Sequence, residues 1–137
     1  LTHIAETREV SEFGVKLVNP DLVVAKRIYL GEMADEDLEE AKREVQALKR
    51  MHHPHIVRYF GSWTNQQTCD LIIIQEYCEG GDLAHYIKDR RSNQEPIPTA
   101  QVVTWLAQVT HALLYCHKRV RTLHRDLKPR NIFLSHE

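Results

Sequence analysis

The run His124-Arg125-Asp126-Leu127-Lys128-Pro129-Arg130-Asn131 puts an acid, a base two residues on and an amide five residues on in one short stretch. Phosphoryl transfer needs that set: a carboxylate for the attacking hydroxyl, a cation for the transferred phosphoryl, and a neutral oxygen for Mg²⁺. Asp126, Lys128 and Asn131 are therefore the candidate catalytic residues, and Asn131 is also the candidate metal ligand. A charged surface turn is the plain alternative, but such turns rarely carry this spacing between apolar runs.

Two further charges stand out. Lys26 ends the apolar run Val23-Val24-Ala25, where an ammonium is costly to bury without a partner. Glu44 lies three residues after Ala41 and four before Leu48, so it projects from the apolar side of its helix. Neighbouring Glu39, Glu40, Lys42 and Arg43 read as a solvated face. Taken alone, Lys26 fits equally well a cation that snorkels from a strand end. His52, His53 and His55 cluster, with Cys69 and Cys78 beyond. No CxxC or HxxxH pair accompanies them, so they read as a turn before a strand, not as a metal site.

These residues need elements to hold them. Residues 1 to 12 give little periodic signal. Val15 to Val18 and Leu22 to Lys26 are β-rich runs around Asn19-Pro20-Asp21, a hairpin pattern. Asp35, Glu36 and Asp37 then open a helix whose apolar face is Leu38, Ala41, Val45, Leu48 and Met51, ended by His53-Pro54. Ile56 to Trp63 and Leu71 to Glu76 read as strands across the polar turn 64–68. Gly80-Gly81 breaks the pattern, and Asp82 can cap a short helix through Lys88. Residues 90–98 read as a loop. Thr99 reads as the cap of a long helix with apolar face Val102, Leu106, Val109 and Leu113. The order implies an α+β fold: a small antiparallel β lobe with one helix over 1–76, joined near Tyr77 to a helical lobe over 77–137, with a cleft between them.

Bulk properties narrow the field. A chain of 137 residues with 42% hydrophobic and 27% charged residues can fold around a real core. A net charge of -1 gives no case for nucleic acid or an anionic membrane as partner. No apolar run approaches a membrane span, and no leader is visible after Leu1. Cys69, Cys78 and Cys116 are odd in number and unpaired in spacing, which suits a reducing, intracellular compartment.

Several motifs follow one another along nearly the whole chain: Val23-Val24-Ala25-Lys26, Glu44 on a helix, MHHPHIV, IIIQEYCEGGDL, and HRDLKPRN. In that order they resemble the eukaryotic protein kinase domain, and EYCEGGDL and RNIFL resemble the NIMA-related serine/threonine kinases most. The resemblance implies a two-lobed fold that uses ATP and Mg²⁺ to phosphorylate Ser or Thr of a protein. It implies that Lys26 holds the α- and β-phosphates and pairs with Glu44. Val15 and Val24 would cover the adenine, and the backbone of Glu76 and Cys78 would hydrogen-bond its edge, with Gln75 behind that slot. Asp126 would orient the hydroxyl, Lys128-Pro129 would signal Ser/Thr preference, and Arg125 would receive a phosphorylated activation-loop residue. Family analogy implies a cytoplasmic protein associated with cytoskeleton or centrosome.

The chain also departs from that family. If Phe13-Gly14 ends the glycine-rich loop, Glu9 and Ser11 stand where its first two glycines belong, although glycine is what lets backbone N–H groups approach phosphates. Val24 replaces the usual alanine. No Asp-Phe-Gly follows before Glu137, so the polypeptide of 137 residues by itself is expected to be inactive, a kinase fragment. A non-catalytic pseudokinase or interaction module is the rival expectation.

Overall fold

The computed structural model describes the backbone of residues 2–6 and, in full, residues 22–135. The Val15 contact, the strand 15–18 with its hairpin turn, and Glu9, Ser11, Phe13 and Gly14 lie outside the described residues. Two compact units divide the chain, Leu1–His52 with Arg58–Tyr77, and His53–Val57 with Cys78–Glu137.

Among the described residues the first unit holds four strands and one helix: β1 (Thr2–Glu6), β2 (Leu22–Tyr29), α1 (Asp35–Leu48), β3 (Tyr59–Asn65) and β4 (Asp70–Glu76). They form an antiparallel sheet in the order β1-β2-β4-β3. Central β4 shows why the sequence folds this way. Successive side chains point to opposite faces, so Leu71 and Ile73 join Ala41 and Val45 of α1, while Ile74 joins Val23 and Ala25 on the other face. Among the described residues, Ile73, Ile74 and Val23 are the largest side chains that are wholly buried. α1 has three acids in its first turn, where the helix dipole favours them.

The second unit holds α2 (Leu83–Ser92), α3 (Thr99–Tyr115), a π-helical turn (Cys116–Val120) and a 3-10 turn (Pro129–Asn131). Leu83, Cys116 and Val120 are buried in it, and Tyr86 of α2 meets Trp105 of α3 edge-on at 5.4 Å. No residue of α3 is buried, and Leu106 is 62% exposed.

Several boundaries differ from the sequence reading. α1 ends at Leu48, short of Met51, because the next amides bond three residues back: Arg50 N–H to Ala47 and Met51 N–H to Leu48. The strand expected from Ile56 starts at Tyr59, since residues 53–57 form a turn that groups with the helical unit. α2 runs past Lys88 to Ser92, held by Arg90 Nε donating to the Tyr86 hydroxyl at 3.1 Å. Thr99 is not the cap of α3. Pro98 occupies that position, its carbonyl accepting from Gln101 and Val102, and no side chain caps the end. Among the described residues no helix is long and apolar enough to cross a membrane.

Candidate active site

In the sheet unit, β2 carries Lys26 opposite Ile73 of β4, and α1 carries Glu44. Their charged atoms meet, Lys26 Nζ to Glu44 Oε1 at 3.5 Å. The pair is not buried as the sequence suggested: the side chains are 40% and 51% exposed, so water screens the contact. Val24 lies half-buried opposite Gln75 on β4. Glu76 ends β4, and its role there is positional as well. Its amide donates to the Arg58 carbonyl at 2.9 Å, and its carboxylate accepts the Arg58 N–H at 3.1 Å. The groove of about 250 Å³ lined by Leu30, Leu38, Ala41, Val45, Trp63 and Leu71 includes neither Lys26 nor Glu44, so the charges mark a different surface.

In the helical unit, the loop after the π-helical turn brings the other set together. Lys128 Nζ lies 2.7 Å from Asp126 Oδ2. Asn131 Nδ2 donates to the Asp126 carbonyl at 2.8 Å and to Asp126 Oδ2 at 2.9 Å. The 3-10 turn makes this possible: Pro129 presets its first position and the Asn131 amide returns to the Lys128 carbonyl at 2.9 Å. The Lys128 hydrogen bond foremost, then that of Asn131, holds the Asp126 carboxyl below its ordinary 3.8, with the charges of Lys128 and His124 adding to the effect. All three side chains are exposed. Because Asn131 spends its NH₂ on Asp126, its Oδ1 is the atom left for a hard cation. Among the described residues no cluster of three His, Cys, Asp or Glu could hold a metal. Cys78 is half-buried, and its carbonyl accepts the Gly81 N–H at 3.1 Å.

The sequence reading gave no role to the device that holds this loop. Residues 80–83 and 132–134 pair side by side: Gly80 N–H to the Leu134 carbonyl at 2.8 Å, Leu134 N–H to the Gly81 carbonyl at 2.9 Å, and Leu83 N–H to the Ile132 carbonyl at 2.8 Å. An isolated antiparallel bridge, Asp82 to Phe133, sits between them. A β-carbon on Gly80 would stand 2.7 Å from the Leu134 carbonyl oxygen, and Gly81 has φ +67°, so both positions call for glycine. Asp82 then caps α2, its Oδ1 accepting the His85 N–H at 2.9 Å. The Gly-Gly-Asp triplet was the available signal.

The family described as protein kinase domain matches residues 12–137. Nek11 of Mus musculus, a serine/threonine-protein kinase, is 42% identical over 115 residues, covering 84% of this chain and 18% of its own length. Nek2 of Homo sapiens, also a serine/threonine-protein kinase, is 37% identical over 118 residues, covering 83% of this chain and 26% of its own. MAP3K epsilon protein kinase 1 of Arabidopsis thaliana is 37% identical over 124 residues, 90% of this chain and 9% of its own. The chain therefore spans 9% to 26% of these relatives' lengths. With residues 12–137 matched and NIMA-related kinases among its relatives, this chain belongs to the protein kinase domain family.

Proposed function

We propose that this chain supplies the nucleotide-binding and catalytic-loop parts of a serine/threonine protein kinase, which moves the γ-phosphoryl of Mg·ATP to a protein hydroxyl. The observation that carries the reading is the contact set of Asp126, Lys128 and Asn131. Protein kinases as a family use ATP and Mg²⁺. Here Lys26, steadied by Glu44, would bind phosphates, Val24 would face the adenine, and backbone groups of Glu76 and Cys78 would bind its edge. Asn131 Oδ1 would ligate Mg²⁺, which would offset the charge of the phosphates.

Asp126 would accept a hydrogen bond from the substrate hydroxyl and take its proton as the new O–P bond forms and ADP departs. A carboxyl held below 3.8 is a weak base, so its main contribution is to orient the nucleophile, as a loose transition state requires. Lys128 would turn from Asp126 to the transferring phosphoryl. The partners are then ATP and a protein bearing Ser or Thr, with no nucleic acid or membrane involved. None of the three cysteines forms a disulfide, as suits a cytoplasmic protein, with cytoskeleton or centrosome as the family analogue.

The rival reading, a non-catalytic module, rests on Glu9 and Ser11. Thermal melting of the full-length protein with and without Mg·ATP separates the two. The kinase reading expects a shift upward that Lys26→Met removes, and a melt indifferent to Mg·ATP would favour the module.

A further inference from the structure

The turn at His53 is built around one imidazole. Its Nδ1 accepts the backbone N–H of His55 at 3.1 Å, so the neutral ring carries its proton on Nε2. That nitrogen is buried and has no hydrogen-bond partner among the described residues. A second hydrogen bond, Ile56 N–H to the His53 carbonyl at 3.1 Å, closes the turn. The ring itself packs against α3, with centroids 4.8 Å from His111 and 5.1 Å from Tyr115, while His55 of its own turn lies at 5.5 Å. His55 and His111 are 6.1 Å apart, so three imidazoles share one small volume.

We propose that His53 is a proton-operated latch: the neutral ring holds residues 53–57 on α3, and the protonated ring releases them. The second proton has only Nδ1 to bind. There it would point at the His55 N–H, so the turn loses a hydrogen bond and two donors face each other. The new charge also lies beside the rings of His111 and His55. From α3 the facing groups are His111 and Tyr115, and from the turn His55; no carboxylate acts on the ring among the described residues. Burial first, then His111 and His55, holds the imidazole below its ordinary 6.5. The sign follows. The latch is fully closed above 6.5, where folded and unfolded rings are both neutral, and weakens as pH falls from 6.5 through the lowered value.

Histidine C2-hydrogen exchange, resolved to single residues by mass spectrometry on the full-length protein, tests this alongside backbone amide protection of residues 53–57. The expected result is a His53 midpoint below 6.5, and protection that falls as pH drops from 6.5 to that midpoint. His53→Asn keeps an acceptor for the His55 N–H but cannot charge, so protection should become flat with pH across that window. His111→Gln, which removes a ring beside His53 but none of the turn's hydrogen bonds, should raise the His53 midpoint. A His53 midpoint at or above 6.5, or protection that still falls with acid in His53→Asn, overturns the latch.

Discussion

Gly80→Ala probes how the catalytic loop is held. The new β-carbon would meet the Leu134 Cβ and carbonyl oxygen, each at 2.7 Å, and the carbonyl carbon at 3.1 Å. Two of those atoms are backbone, so no side-chain rotation relieves the clash, and the segment after Asn131 must shift. Overpacking of this kind costs about 1–3 kcal/mol. The bonds at stake, Gly80 to Leu134 and Leu134 to Gly81, contribute about 1 kcal/mol each. Local opening of residues 132–134 should become easier by about 1–3 kcal/mol, which lowers amide protection about 5- to 150-fold. Hydrogen exchange on the full-length protein reads this directly, with β4 peptides as an internal reference. Gly81→Ala is the comparator: open space surrounds it, so its cost is the left-handed backbone alone, about 1–2 kcal/mol. Protection of 132–134 within twofold of wild type in Gly80→Ala would refute the clamp.

Other consequences are equally direct. Ile73 is 1% exposed between α1 and the sheet, so Ile73→Ala should destabilise the domain by about 2–5 kcal/mol, read as a lower melting temperature; a loss under about 1 kcal/mol contradicts the packing. The Lys26–Glu44 pair is half-exposed, so Lys26→Met should change stability by no more than about 1 kcal/mol while removing ATP binding. If melting and binding fall together, the lysine is structural. Asp126 is held below 3.8 chiefly by Lys128, so Lys128→Met should move its carboxyl titration upward in ¹³C NMR. Any stability from Asp126 is present above 3.8 and lost as pH falls through the lowered value, and the variant should show less of that acid dependence. A titration unmoved by the substitution would mean another group sets it.

What the sequence disclosed depended on how local each feature is. β4 was legible because its residues alternate between two buried faces, and the α1 stripe because Ala41 and Val45 repeat at helical spacing. The Asp126-Lys128-Asn131 set was legible because one contiguous turn makes all its contacts. β1 was not, since Thr2–Glu6 has no periodicity of its own and is a strand through pairing with β2. The clamp between 80–83 and 132–134 was hidden for a related reason: its bonds are backbone to backbone across a long sequence separation. The histidine cluster was half visible. His53 and His55 adjoin in the chain, but His111 joins them only through the packing of α3.

The central claim is that Asp126 directs a substrate hydroxyl onto the γ-phosphoryl of ATP. Its most direct test is transfer of labelled γ-phosphate from Mg·ATP to a general Ser/Thr protein substrate by the full-length protein and its Asp126→Asn variant. The substitution keeps the side chain's shape and removes its charge, so the account predicts folded protein, retained nucleotide binding, and transfer reduced by about 10²–10⁴-fold. Undiminished phosphorylation by Asp126→Asn would contradict it.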